Sequence, residues 1–119
     1  MHALLDAIHA LSRNIRYVAL YTNGTLVSSV KSDVKAQSSA ESDRYEELIV
    51  NPTLLKLLSQ RGNIDCGGLE YVLIRYGTFY AFVAPIPGGH VAITFDPSAD
   101  PLRYVPAIQA VLIRGCAAA

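Results

Sequence analysis

Residues 69–95 read LEYVLIRYGTFYAFVAPIPGGHVAITF, and their composition decides the fold class. Leu69 to Tyr76 contains no proline and is rich in β-branched and aromatic residues, the composition of a strand. Gly77-Thr78 breaks it, Phe79 to Ala84 resumes it, and Pro85 and Pro87 are expected to stop pairing because proline donates no ladder hydrogen bond. Gly88-Gly89 supplies a second reversal. His90 to Phe95 then sets His90, Ala92 and Thr94 against Val91, Ile93 and Phe95. The odd positions want a core, and the even ones are small enough to lie under a helix. Three antiparallel strands this apolar must be covered, so the rest of the chain is read as the covering material.

Leu4, Leu5, Ile8 and Leu11 recur at helical spacing against His2, Asp6, His9 and Arg13. This predicts an amphipathic first helix that Asn14 ends and whose stripe Ile15 would join. Arg16 to Thr22 and Thr25 to Lys31 flank Asn23-Gly24, a pair that tolerates the positive φ of a tight hairpin turn. Ser32 to Ser42 is polar and aperiodic, so it reads as a mobile loop. Arg44 to Val50 reads as a short helix that stops because Asn51 precedes Pro52. Asn51 is then expected to cap a new helix with Pro52 at its first position. Leu54, Leu55, Leu57 and Leu58 line that helix, which closes near Arg61-Gly62. Asp100-Pro101 repeats the device and opens a last helix to Arg114, with Ile108, Val111 and Leu112 as its stripe and Gly115 as its stop. Pro106 either kinks that helix or delays its regular part to Val105 or Pro106. The reading is a single α+β domain over residues 1–119, in the order α-ββ-α-βββ-α.

At 119 residues and 12.9 kDa the chain suits one hydrophobic core. It is 51% hydrophobic and 17% charged, against about 25% charged for an average soluble domain, so a weakly charged surface is expected to find a partner. Ten basic and ten acidic residues cancel and no basic run occurs, which argues against nucleic-acid or anionic-membrane binding. No apolar run approaches the ~20 residues of a membrane span. The stretch MHALLDAIHALSRN lacks a basic start and carries Asp6 among its apolar residues, so it reads as a helix and not a signal peptide. Cys66 and Cys116 lie far apart without a CxxC spacing, which suits two free thiols in a cytoplasmic protein.

Candidate chemistry is sparse. His2, Asp6 and His9 share one helical face, but the two histidines stand about 10 Å apart along the axis, too far to share an ion, so a solvated face is favoured. Pro87 to His90, PGGH, reads as a turn without any Walker or dinucleotide spacing. No serine sits in a GxSxG elbow. Tyr71, Tyr76, Phe79, Tyr80 and Phe82 could stack on bases, yet Arg75 is the lone cation among them, so they read as core and protein-interface material. No catalytic residue, metal ligand or cofactor is assigned.

Three pieces, YVALYTNGTLVSS at 17–29, the stretch 69–95, and DPSADPLRYV at 96–105, resemble the roadblock family of dynein light-chain-like and bacterial polarity-regulator domains. The resemblance spans nearly the whole chain. It implies a profilin- or longin-like five-stranded antiparallel sheet in the order 2-1-5-4-3, with the first and last helices on one face and the middle helix on the other. It also implies a non-catalytic dimer that serves small Ras-like GTPases or scaffolds signalling and motor assemblies. The chain has no GTP-binding motif, so it would be a GTPase's partner. In that order Leu69 to Tyr76 is a sheet edge without proline, lysine or glycine, and such an edge should pair with its own copy. The expected interface is Leu69, Tyr71, Val72, Leu73, Ile74, Arg75 and Tyr76, with Leu54, Lys56 and Leu58 of the middle helix. A two-fold axis pairs residues of like parity, which excludes Glu70 opposite Arg75 and centres the register on Val72 or Leu73. Centring on Leu73 puts Arg75 over Tyr71 of the second copy. The alternative is a PAS- or profilin-like ligand-sensing domain, whose pocket between sheet and middle helix Leu54, Leu55, Leu57 and Leu58 are expected to fill.

Overall fold

The computed structural model describes residues 2–31 and 40–117. The elements are α1 (His2–His9), β1 (Ile15–Thr22), β2 (Thr25–Val30), α2 (Ala40–Tyr45), a π-helical turn (Glu46–Val50) and α3 (Asn51–Asp65). They continue with β3 (Val72–Arg75), β4 (Tyr80–Ile86), β5 (Gly89–Phe95), a 3₁₀ turn (Pro101–Tyr104) and α4 (Val105–Ala117). The strands form one antiparallel sheet in the order β2-β1-β5-β4-β3. The expected α+β class and strand order are both present.

The alternation in β5 distributes the core. Val91, Ile93 and Phe95 join Leu5, Ile8, Phe82 and Ile108 in the layer made by α1 and α4. Ala92 joins Ala19, Val83 and Leu55 of α3 in a thinner layer on the opposite face. The odd residue Leu73 of β3 packs on the first layer and the even residues Val72 and Ile74 on the second, so both faces of the terminal strand are covered.

Several boundaries differ from the sequence expectation. Proline does not stop β4: Pro85 pairs opposite His90, and the turn is Pro87-Gly88, with Gly88 at φ 81°, and not Gly88-Gly89. A two-residue loop makes Ile86 and Gly89 the closing hydrogen-bonded pair, so the nitrogen of Pro85 points away from β5. It faces the side where β3 has already ended, Val72 being opposite Val83. Gly89 is needed for close approach, because a Cβ there would lie 1.6 Å from the Tyr21 carbonyl oxygen. Asn23 and Gly24 take φ 51° and 85°, as the primed hairpin turn requires.

The middle helix does not break at Asn51. Asn51 is helical (φ −66°, ψ −45°), and its N–H reaches back five residues to the Glu46 carbonyl, so the chain passes through a π turn into Pro52. The side chain of Asn51 therefore caps nothing. Helix α3 runs to Asp65, and Gly62 is buried within it because a Cβ there would press within 3.2 Å of the Gly68 backbone. The first helix ends at His9, and Ile15 instead opens β1. The last helix becomes regular at Val105, one of the two readings of Pro106, and continues past Gly115, where the missing side chain makes room for Leu4. Residues 32–39 of the expected loop lie outside the described residues, while Ala40, Glu41 and Ser42 are helical.

Candidate functional site

Two features of the fold carry chemistry, and both flank the middle helix. The first is the open edge at β3. The expected strand Leu69 to Tyr76 contracts to Val72–Arg75, since Leu69 turns in against the α3 layer and Tyr71 stacks on Phe82 with ring centroids 5.3 Å apart. Among the described residues only β4 pairs with β3, and none pairs with its other side. The Tyr76 N–H donates to the Phe79 carbonyl at 2.9 Å, which fixes the phase of the ladder. Tyr76, Ile74 and Val72 direct their backbone groups to β4, and Leu73 and Arg75 direct theirs outward. The Arg75 guanidinium lies 4.8 Å over the ring of Tyr80, its cross-strand neighbour. Within its own chain the Arg75 cation therefore has Tyr80 as its ring neighbour.

The three expected helix residues do not share a face. Leu54 and Leu58 lie one turn apart, whereas Lys56 is rotated about 200° from Leu54. Of the four leucines only Leu55 is buried; Leu57 is 61% exposed and Ile64, seven residues on, is 75% exposed. The four leucines therefore do not fill the layer beneath the helix. Leu57 and Ile64 are instead exposed on the outer side of the helix, with Gln60 and Arg61 between them.

The second feature was not legible as a site. Glu47 and His90 are each 2% exposed, with His90 Nε2 2.8 Å from Glu47 Oε1. Asn51 Nδ2 donates to the same oxygen at 3.0 Å, and the Tyr17 hydroxyl donates to Oε2 at 3.3 Å. A carboxylate only accepts, and all three partners can donate, so the network compensates Glu47 for lost solvation. Burial and then the neighbouring Glu47 charge push the Tyr17 phenol far up, which keeps it a donor. Beside this network, Tyr76 donates to Glu46 Oε2 at 3.2 Å. Burial raises the Glu46 carboxyl above its ordinary value, with the Tyr76 hydrogen bond opposing the rise.

The His90 ring stacks on Tyr21, centroids 5.7 Å apart, and borders a cleft of about 280 Å³ between the sheet and α3. Pro52, Leu55, Lys56 and Ser59 form its helix side, and Tyr21 and Pro85 its strand side. The sequence signals were a histidine inside an otherwise apolar strand and Asn51 four residues after Glu47. Elsewhere, His9 Nε2 is 2.9 Å from the Ser29 hydroxyl, so it is committed to the β2 strand and not to His2 and Asp6. Among the described residues no helix is long and apolar enough to cross a membrane. No family model matches the chain, and no curated protein is significantly similar to it.

Proposed function

We propose that the protein is a non-catalytic homodimeric scaffold or regulator that pairs through β3 and offers the joined sheet to a protein partner, a small Ras-like GTPase being the candidate class. The observation that carries this reading is the outward aim of the Leu73 and Arg75 backbone groups on a terminal strand that lacks proline, lysine and glycine. A dyad centred on Leu73 lets two copies exchange both backbone bonds at that residue, with the sheet continuing across the axis and both faces already covered by helices. The exposed side chains of Leu57 and Ile64 supply apolar contacts for a partner in addition to the edge.

Sedimentation equilibrium of Leu73→Pro and Arg75→Pro tests the pairing. Each change removes one outward donor and leaves the β3–β4 ladder its inward bonds. Both variants are expected to sediment as monomers of 12.9 kDa at micromolar concentration, where the parent is a dimer. Circular dichroism controls for folding, and Arg75→Pro avoids the core loss that Leu73→Pro carries. Variants that remain fully dimeric would remove β3 as the interface.

A further inference from the structure

The cleft beside His90 has the makings of a ligand site that is independent of edge pairing. His90 is buried, and its Nε2 faces Glu47 Oε1, so that in the neutral imidazole Nε2–H donates to the carboxylate and the lone pair lies on Nδ1. Among the described residues no hydrogen bond occupies Nδ1, and His90 is one of the residues that line the cleft. Maintaining an imidazole in one tautomer behind a buried carboxylate, itself held by Asn51 and Tyr17, produces an oriented acceptor at the cleft wall. Lys56 stands on the helix side of the same cleft, exposed and without an acidic partner among the described residues. Between the two lie the apolar surfaces of Leu55, Pro52 and Pro85. At about 280 Å³ the space falls just below the ~300–1,000 Å³ of sites for drug-sized ligands.

We propose that this cleft binds a small carboxylate with a flat or branched apolar body and a hydroxyl or N–H group, the donor on His90 Nδ1 and the carboxylate on Lys56. The arrangement needs both ends of the ligand. A neutral alcohol forgoes the lysine, and a plain carboxylic anion leaves the imidazole lone pair unpaired in a desolvated site.

The test uses 4-hydroxybenzoate as probe, with benzoate and phenol as controls, on the full chain labelled with ¹⁵N. Binding is read from the Nδ1 resonance of His90. The probe is expected to move that resonance, and benzoate and phenol to bind about tenfold more weakly, the effect of one lost hydrogen bond or ion pair in a desolvated site. Lys56→Ala, an exposed change that leaves the fold intact, is expected to weaken the probe by a similar factor. It should bring probe and phenol to the same affinity. An unmoved Nδ1 resonance at about 20 mM probe, equal binding of benzoate and probe, or an indifferent Lys56→Ala would each overturn the assignment. Sedimentation of the same samples reports pairing separately, so failure here leaves the edge interface standing and the reverse also holds.

Discussion

Replacing Glu47 by Ala strips one acceptor from three donors at once. His90 Nε2 and Asn51 Nδ2 are fully buried and would each be left unsatisfied at about 1–3 kcal/mol, whereas the half-buried Tyr17 hydroxyl can turn to water. The two buried donors bracket the loss between about 2 and 6 kcal/mol, and the experience of breaking buried charge pairs narrows it to about 3–5 kcal/mol. That is a large part of the 5–15 kcal/mol that holds a typical domain together. Urea unfolding followed by circular dichroism reads the effect. With a slope of roughly 1.5–2 kcal/mol per molar urea, the midpoint should fall by about 2 M at fixed protein concentration. The double variant Glu47→Leu with His90→Leu removes acceptor and principal donor together, so it should regain at least half of the loss. A single-variant loss under about 1 kcal/mol, or a double variant no better than Glu47→Ala, would refute the view that Glu47 satisfies the buried donors of His90 and Asn51.

Gly89→Ala should be among the most damaging single-methyl changes in the chain, because its Cβ would lie 1.6 Å from the Tyr21 oxygen and 2.7 Å from its carbonyl carbon. Separating β1 from β5 should lower the thermal midpoint by about 10 °C or more, and a drop of under about 3 °C would show that the strands part easily. Glu46 has a folded pKa raised above its ordinary 4.5, so the stability linked to its protonated form is present below pH ~4.5 and lost as pH rises through the folded value. Glu46→Gln keeps an acceptor for Tyr76 and escapes that loss: it should match the parent near pH 4 and exceed it at pH 7 in urea midpoints, and equal midpoints at both pH values would contradict the assignment.

Periodicity made the sheet legible and left the polar layer hidden. The alternation of Val91, Ile93 and Phe95 against Ala92 reports directly which side chains meet which helix layer, and Asn23-Gly24 names its own turn. The misplaced boundaries arise where a local preference yields to tertiary context. Asn51 ought to avoid the helix before Pro52, but a π turn and a buried bond from its side chain to Glu47 hold it there. Pro85 ought to end its strand, but its donorless nitrogen faces a gap in the ladder. The Glu47–His90 pair joins residues 43 positions apart, and no local pattern encodes such a contact. Leu57 and Leu58 looked like core from composition alone, yet α3 turns Leu55 and Gly62 inward and leaves the others outside.

Amide hydrogen exchange at Leu73 and Arg75, measured on the unmodified protein at micromolar concentration, tests the edge-pairing reading most directly. Their N–H groups point away from β4, so among the described residues of one copy no strand protects them, while those of Val72 and Ile74 are held by the ladder. Pairing of two copies through β3 predicts protection at Leu73 and Arg75 comparable with that at Val72 and Ile74, fading on dilution. Exchange at Leu73 and Arg75 at the rate of a free amide, beside protected Val72 and Ile74, would contradict it.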